Sequence, residues 1–253
     1  MNLISVLMCV NRIDDFFIRA IDSLNEQTYK NFEIVLVGNT LSEQDKKIVV
    51  DLAAKFPKIR VFFTDVKFLT FSLNLGLHHC AGSLVARMDA DDIAYPERLE
   101  KQAKFMNEHQ EIDVCGSCCY LIDSEDQVVG THNVPLLDGP IKQAMYWNAP
   151  FCHPTVMFRK AVILKIGGYM GGLYAEDYDL WCRLKLDVSI RFANLPEKLL
   201  GYRFAPNGLA RRSKYAYAGL SAAQWRSFVV TGNVMWLLGA ILSAIKRLAR
   251  AKQ

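Results

Sequence analysis

Residues 83–92 read Ser83-Leu-Val-Ala-Arg-Met-Asp-Ala-Asp-Asp92, a mostly apolar segment of strand length that ends in three carboxylates. Three similar segments lie upstream, at Leu3–Val10 (LISVLMCV), Phe32–Val37 (FEIVLV) and Ile59–Phe63. Between them the period changes. Ile13, Phe16, Phe17, Ala20, Ile21 and Leu24 follow the i, i+3, i+4, i+7 spacing of a helix with one buried face. Ser42, with Glu43 and Asp45 behind it, opens a second helix that stops near Phe56-Pro57. Thr70 reads as the cap of a third, running through His79. Beyond Asp92, Pro96 stands in the first turn of a helix over Glu97–His109, where a missing N–H costs nothing. Apolar strands alternating with helices predict an α/β fold: a mainly parallel, Rossmann-like sheet flanked by helices on both faces. Such sheets bind ligands at the carboxyl ends of their strands. Attention therefore falls on Asn11-Arg12, Gly38-Asn39, Asp65–Leu69 and Asp89–Asp92.

The second half is less regular. Val114–Ile122 and Val128–Asn133 read as a hairpin around Asp123–Gln127. Asp138–Trp147 reads as a helix, Thr155–Phe158 as a strand, and Arg159–Ile166 as a short helix stopped by Gly167-Gly168. Asp177–Lys185 has helical character, and two short strands are expected near Ser189–Ala193 and Leu199–Arg203. No internal repeat is present.

With 253 residues, 51% of them hydrophobic and 22% charged, disorder, collagen and coiled coil are excluded as the main architecture. One core of this size needs no staples. The seven cysteines are an odd number, mostly in apolar runs, and no secretory leader pattern opens the sequence. Reduced thiols and a cytoplasmic location are the expectation. Cys115-Gly-Ser-Cys118 has the spacing of a zinc pair but no second pair to complete a site, so buried thiols are the favoured reading.

Charge is unevenly placed. The net charge is only +4, yet Glu197 is the last acidic residue and ten basic ones follow, from Lys198 to Lys252. A tail of one sign calls for an anionic partner. Within it, Phe228–Ile245 runs eighteen residues without a charge and is closed by Lys246 and Arg247. A core helix, a single span and a helix lying in the membrane interface are the competing readings. Eighteen residues are at the lower limit for a span. Shallow insertion, with Trp225, Trp236 and the cationic end at the headgroups, fits best. Nucleic acid is not expected, since the basic residues flank aliphatic sequence rather than aromatic platforms.

Two acidic stretches carry the chemistry. In Asp89-Ala-Asp-Asp92 the carboxylates repel one another unless a cation lies between them, and hard oxygen ligands suit Mg2+ or Mn2+. The alternative is that Asp91 and Asp92 only favour the start of the following helix. In Tyr174-Ala-Glu-Asp-Tyr-Asp-Leu-Trp181, Glu176 or Asp177 is a general base if the fold brings it near the first cluster, and otherwise a helix N-terminus rich in acids.

Both stretches, in this order, resemble the inverting nucleotide-sugar glycosyltransferases of family two, with the GT-A fold. The resemblance covers about residues 1–215. It rests on Asn11-Arg12, Ala86-Arg-Met-Asp-Ala-Asp-Asp92, Pro96-Glu-Arg-Leu-Glu-Lys-Gln102, His153-Pro-Thr-Val-Met-Phe-Arg159, Gly167-Gly-Tyr169, Ala175-Glu-Asp-Tyr-Asp-Leu-Trp181 and Gly201-Tyr-Arg203. It implies a nucleotide-binding half (1–110) and a smaller acceptor half (111–215); the membrane-associating helical tail (216–253), read from its charge and apolar run, lies beyond the resemblance. It further implies that Asp89 meets the nucleotide ribose, Asp91 holds Mn2+ or Mg2+ on the diphosphate, and Asp177 deprotonates the acceptor hydroxyl. Asn11, Arg12 and Arg87 fall on the donor side, and Arg87 is also placed to neutralise Asp89. The implied partners are a nucleotide-sugar donor, UDP-linked, and a glycan or lipid-linked acceptor at the cytoplasmic face of the membrane.

The sequence departs from the family pattern at two points. Where members often carry paired aspartates after the second strand, this chain has Gly38-Asn39, leaving Asn39 to meet a pyrimidine edge. Where a His often follows Tyr-Arg by two residues, it has Ala205, leaving Arg203, Arg211 and Arg212 as candidate diphosphate clamps. His153 and Glu176 are candidate acceptor contacts, His153 being equally readable as structural, and Trp181 is either an aromatic wall for a sugar ring or core filler. The departures motivate one alternative, a catalytically silent relative acting in assembly. A metal-dependent phosphoryl or nucleotidyl transferase is another, although no glycine loop with Lys supports it.

Overall fold

The structure, a computed structural model, describes residues 2–171, 174–204 and 214–250. The first half alternates as the sequence predicts: β1 (Ile4–Val10), α1 (Asp15–Asn25), β2 (Phe32–Asn39), α2 (Glu43–Lys55), β3 (Ile59–Thr64), α3 (Leu69–His79) and β4 (Leu84–Asp89). After it come β5 (Ile93–Ala94), α4 (Arg98–Glu108), β6 (Val114–Ile122), β7 (Val128–His132), α5 (Asp138–Ala144) and a 3-10 turn at His153–Thr155. β8 (Met157–Arg159), α6 (Lys160–Lys165), α7 (Glu176–Lys185), β9 (Phe192–Arg203), α8 (Lys214–Thr231) and α9 (Val234–Arg250) complete the order. All nine strands join one mixed sheet in the order β3-β2-β1-β4-β8-β6-β9-β5, with β7 paired to β6. Its first four strands are parallel.

Alternation along the strands builds two core layers. Val6, Met8, Ile34 and Leu36 face α1 and α4 with Phe17, Ile21, Leu99 and Met106. Leu7, Val35 and Val85 face the other way, into a layer with Leu73, Leu77, Phe158 and Trp181. Each fully buried Leu, Ile or Phe contributes about 1.5–3 kcal/mol, and that burial fixes the register. The register aligns Cys9 with Asp89, Val10 with Gly38 and Asn39 with Thr64, so the strand ends form one ledge.

Two local expectations change. The two short strands expected after α7 are one strand, β9, because Pro196 and Glu197 bulge out between Leu195, paired with Ser117, and Lys198, paired with Cys118. Thr70 does not cap α3. The helix begins at Leu69, with Phe68 before it at φ 86°, ψ 134° and no side-chain cap.

The apolar tail is a helical hairpin, not one helix. Gly232, at φ 67°, and Asn233, whose Oδ1 accepts from the Met235 N–H, break the eighteen-residue run between α8 and α9. Trp236, expected at the headgroups, is buried edge-on against Tyr146 with the Lys185 ammonium 4.5 Å from its ring. Gln224 links the hairpin inward, donating to the Tyr146 carbonyl and accepting from Ser243. Among the described residues, no helix is long and apolar enough to cross a membrane.

Candidate active site

The carboxyl ends of β1, β2 and β4 and the start of α3 enclose a cleft of about 480 Å³. Asn11, Arg12, Asn39, Asp89 and Asp91, all singled out from sequence, line it. Arg12 leans on Asp14, which also caps α1. Asn39 is turned into the wall: its amide donates to the Val66 carbonyl at 2.8 Å and to Ser72 Oγ at 2.6 Å. Those N–H groups brace the cleft instead of reading a pyrimidine.

At the β4 end, Asp89, Asp91 and Asp92 bring carboxylate oxygens within 4.8 Å of one another. Asp92 is buried. Its Oδ1 accepts from the Arg203 backbone N–H at 2.8 Å, and its Oδ2 has no partner. Burial first, then the charges of Asp89 and Asp91, push Asp92 well above the usual carboxylate range. Asp91 rises through burial and then Asp89. An orphaned buried oxygen among crowded carboxylates fits a divalent cation, and an all-oxygen set suits Mn2+ or Mg2+. Among the described residues, these three are the one set of side chains that converges in this way.

Two buried arginines lie beneath. Arg98 donates to the Arg87 carbonyl, and burial pushes its pKa down to about 10. Arg87 is 3% exposed and ion-paired with Asp89; burial works against its charge, but Asp89 outweighs burial and holds its pKa above the ordinary value. It therefore serves Asp89 from below the ledge and does not line the cleft.

Glu176 and Asp177 open α7 after Ala175, whose left-handed backbone (φ 67°, ψ 35°) turns the chain into the helix. They do not line the cleft itself. Burial, then Asp177, pushes Glu176 up to about 7. Burial raises Asp177 despite the Tyr178 N–H and the positive charge of Arg87. Both acids also feel Asp89. The two acidic stretches, far apart in sequence, thus lie within the field of one guanidinium.

Other expectations are corrected. Trp181 is fully buried between Phe151 and His153 and offers no face to a sugar. His153 Nε2 lies 3.1 Å from the Tyr169 hydroxyl, and burial, then Arg87, holds its pKa well below 6.5, so it is a neutral packing ring. Arg203 is no free clamp. Its guanidinium donates to the Asp91 and Asp123 carbonyls and to Asp126, while its ring-like plane rests over Phe16. Arg211, Arg212 and Ala205 lie outside the described residues. The seven cysteines form no disulfide, and burial pushes Cys115 up to about 12.

Residues 5–167 match the family described as Glycosyl transferase family 2. Over 99% of this chain and 98% of its own length, the O-antigen biosynthesis glycosyltransferase WbnJ of Escherichia coli is 32% identical. The chain belongs to glycosyl transferase family 2. It is also similar to the Escherichia coli UDP-Gal:alpha-D-GlcNAc-diphosphoundecaprenol beta-1,3-galactosyltransferase, at 28% identity over 85% of this chain and 78% of that protein. Among solved structures, Staphylococcus aureus TarS 1–349 in complex with UDP-GlcNAc aligns with a TM-score of 0.68 at 19% identity, covering 88% of this chain and 66% of the other. The mannosyltransferase PcManGT from Pyrobaculum calidifontis, in complex with GDP-Man and Mn2+, aligns at 0.70 and 15% identity, covering 97% and 73%. These likenesses show the GT-A fold.

Against the family 2 framework, two contributors were not singled out from sequence. Arg98 underlies the ledge, and Tyr169 ties the segment after α6 to α3, its N–H donating to Asn74 Oδ1 and its carbonyl accepting from Asn74 Nδ2. Their signals were present in the Pro-Glu-Arg segment and Gly167-Gly-Tyr169.

Proposed function

We propose that this glycosyltransferase moves a sugar from a UDP-sugar to a hydroxyl of a glycan or lipid-linked acceptor, with inversion, in surface polysaccharide assembly. The observation that carries the reading is the cluster of Asp89, Asp91 and Asp92 at the end of the cleft, with Glu176 and Asp177 within the field of Arg87, the partner of Asp89. The donor assignment draws on the UDP-GlcNAc complex of TarS, and the acceptor on the diphosphoundecaprenol in the galactosyltransferase's name.

In this mechanism Asp91, with Asp92 beside it, would hold Mn2+ or Mg2+, and Asp89 would meet the ribose. Such an ion would supply positive charge to the diphosphate leaving group, so no protein acid would be required. Asp177 accepts the acceptor hydroxyl's proton from about 2.6–3.2 Å. The freed oxygen attacks the anomeric carbon as the bond to the diphosphate breaks on the opposite face, which inverts that carbon and releases the nucleoside diphosphate. Glu176, protonated for part of the time near neutrality, is able to donate to an acceptor hydroxyl. The test incubates the protein with UDP-sugars, Mn2+ and saccharides on isoprenoid diphosphates, following nucleotide release and the product's anomeric configuration. Retention of configuration, or no turnover with any donor, rejects the reading.

The same charges set a pH dependence. Asp177 must be ionised, and burial, aided by the charge of Asp89, holds its pKa above the usual carboxylate range. Turnover is expected to fall as pH drops toward that raised pKa. Asp177 raises Glu176, but Glu176 is not what raises Asp177, so Glu176→Gln is expected to leave the acid limb in place. A limb that moves in Glu176→Gln assigns it to Glu176 and removes Asp177 as the titrating base.

Peripheral association with the cytoplasmic face of a membrane is assigned to the hairpin. Val234, Leu238, Ile241, Ile245 and Leu248 recur at i, i+4, i+7, i+11 and i+14 and are all exposed. Lys246 and Arg247 flank them, and the hairpin carries no acidic residue. An apolar stripe with a cationic end matches an anionic lipid surface. Leu238→Glu with Ile241→Glu is expected to cut binding to anionic vesicles at least tenfold in flotation, without changing thermal stability, since both side chains already face solvent. Unchanged flotation removes the hairpin from the membrane reading.

A further inference from the structure

The donor cleft has a polar, acidic end at β4 and an opposite end at β2, two strand spacings away, or about 10 Å. With a diphosphate held at the acids, a ribose and base extend toward the β2 end. That end is walled by Asn39, Thr40, Lys67 and Phe68. Phe68 is the one aromatic side chain among the residues that line the cleft. The residue is 57% exposed, although a buried position would remove its ring from water.

Its backbone is strained as well. Phe68 sits at φ 86°, ψ 134°, a combination that only glycine adopts freely. The strain persists because the loop is over-determined on its N-terminal side. Val66 donates its N–H to Thr64 Oγ1 at 3.1 Å, and its carbonyl accepts from Asn39 Nδ2. Thr40, also on this wall, has a positive φ of 51°. An unfavourable backbone that holds an exposed ring over a ligand cleft is a functional signature, not a packing solution. Every nucleobase presents a flat π face, and an aromatic ring is the side chain that matches it.

We propose that Phe68 is the platform on which the nucleobase of the donor stacks. The inference rests on the nucleotide-donor reading above and adds the residue that grips the base. Stacking tolerates any base, so Phe68 sets affinity, while discrimination between bases falls to polar groups of the wall.

The test titrates the parent protein and three variants, Phe68→Gly, Phe68→Ala and Phe68→Tyr, by calorimetry with Mn2+ present. The probes are UDP, GDP and inorganic pyrophosphate. Phe68→Gly is expected to weaken nucleoside diphosphate binding about tenfold while leaving pyrophosphate binding unchanged, because pyrophosphate has no base. Phe68→Ala loses the same factor, and Phe68→Tyr retains parental affinity. Without ligand, Phe68→Gly is expected to unfold about 2–4 °C higher, since glycine relieves the positive φ. Equal weakening of pyrophosphate and nucleotide overturns the proposal, since Phe68 would then only shape the wall. So does parental nucleotide affinity in Phe68→Gly. A parent that binds pyrophosphate but neither nucleotide refutes the platform and leaves the metal site standing. A parent that binds none of the three rejects the donor reading itself, and the platform with it.

Discussion

Asp177→Asn is expected to lower kcat by about 10²–10⁴, while UDP-sugar affinity stays within a factor of two or three. The amide keeps the carboxylate's shape at the start of α7 but cannot accept the acceptor's proton. Donor binding survives because Asp177 lies outside the cleft that holds Asn11, Arg12, Asp89 and Asp91. The substitution should also raise stability above pH 7. Burial and the charge of Asp89 hold the folded-state pKa of Asp177 above its unfolded value. The ionised form is therefore unfavourable in the fold, and removing the charge relieves it. A variant that is both less active and less stable would point to a structural role for Asp177. One that keeps more than a tenth of parental kcat would remove it as the base.

What the sequence made legible follows from periodicity. β1, β2 and β4 are apolar on both faces because helices cover both sides, and such runs are read without tertiary information. The acidic ends of β4 and α7 were legible as chemistry for the same reason: three clustered carboxylates have few purely structural uses. What the sequence left open was which way several side chains turn. Trp181 follows the acids of α7 by a helical turn, and burial carries it into the core beside Phe151. Arg203 was read as a phosphate clamp by its charge, but Asp126 and two carbonyls, all distant in sequence, consume its donors. Asn39 turned inward because the backbone at Val66, a loop away, needed a donor. The tail's break at Gly232-Asn233 lies in residue types that favour positive φ and helix caps, although no charge interrupts the eighteen-residue run around it.

Arg87→Met is expected to cost about 3 kcal/mol of stability at pH 8, the lower end for breaking a buried ion pair, because Asp89 is still a third open to water. Methionine fills much of the volume but leaves Asp89 unpaired and strips the field that lowers the pKa values of Asp91, Asp92, Glu176 and Asp177. The sign with pH follows. Those pKa values, already above their unfolded values, rise further, so the folded variant binds protons that the unfolded chain has released. Stability then increases as pH falls from 8 toward 5, and the deficit against the parent shrinks. Mn2+ is expected to restore part of the loss at pH 8 by giving the carboxylates a counter-charge, and to do less at pH 5, where protons compete for them. Urea unfolding at both pH values, with and without Mn2+, measures all four quantities. A deficit that is the same at pH 5 and pH 8 would mean that Arg87 matters for packing alone, and that the acids on the ledge do not depend on its charge.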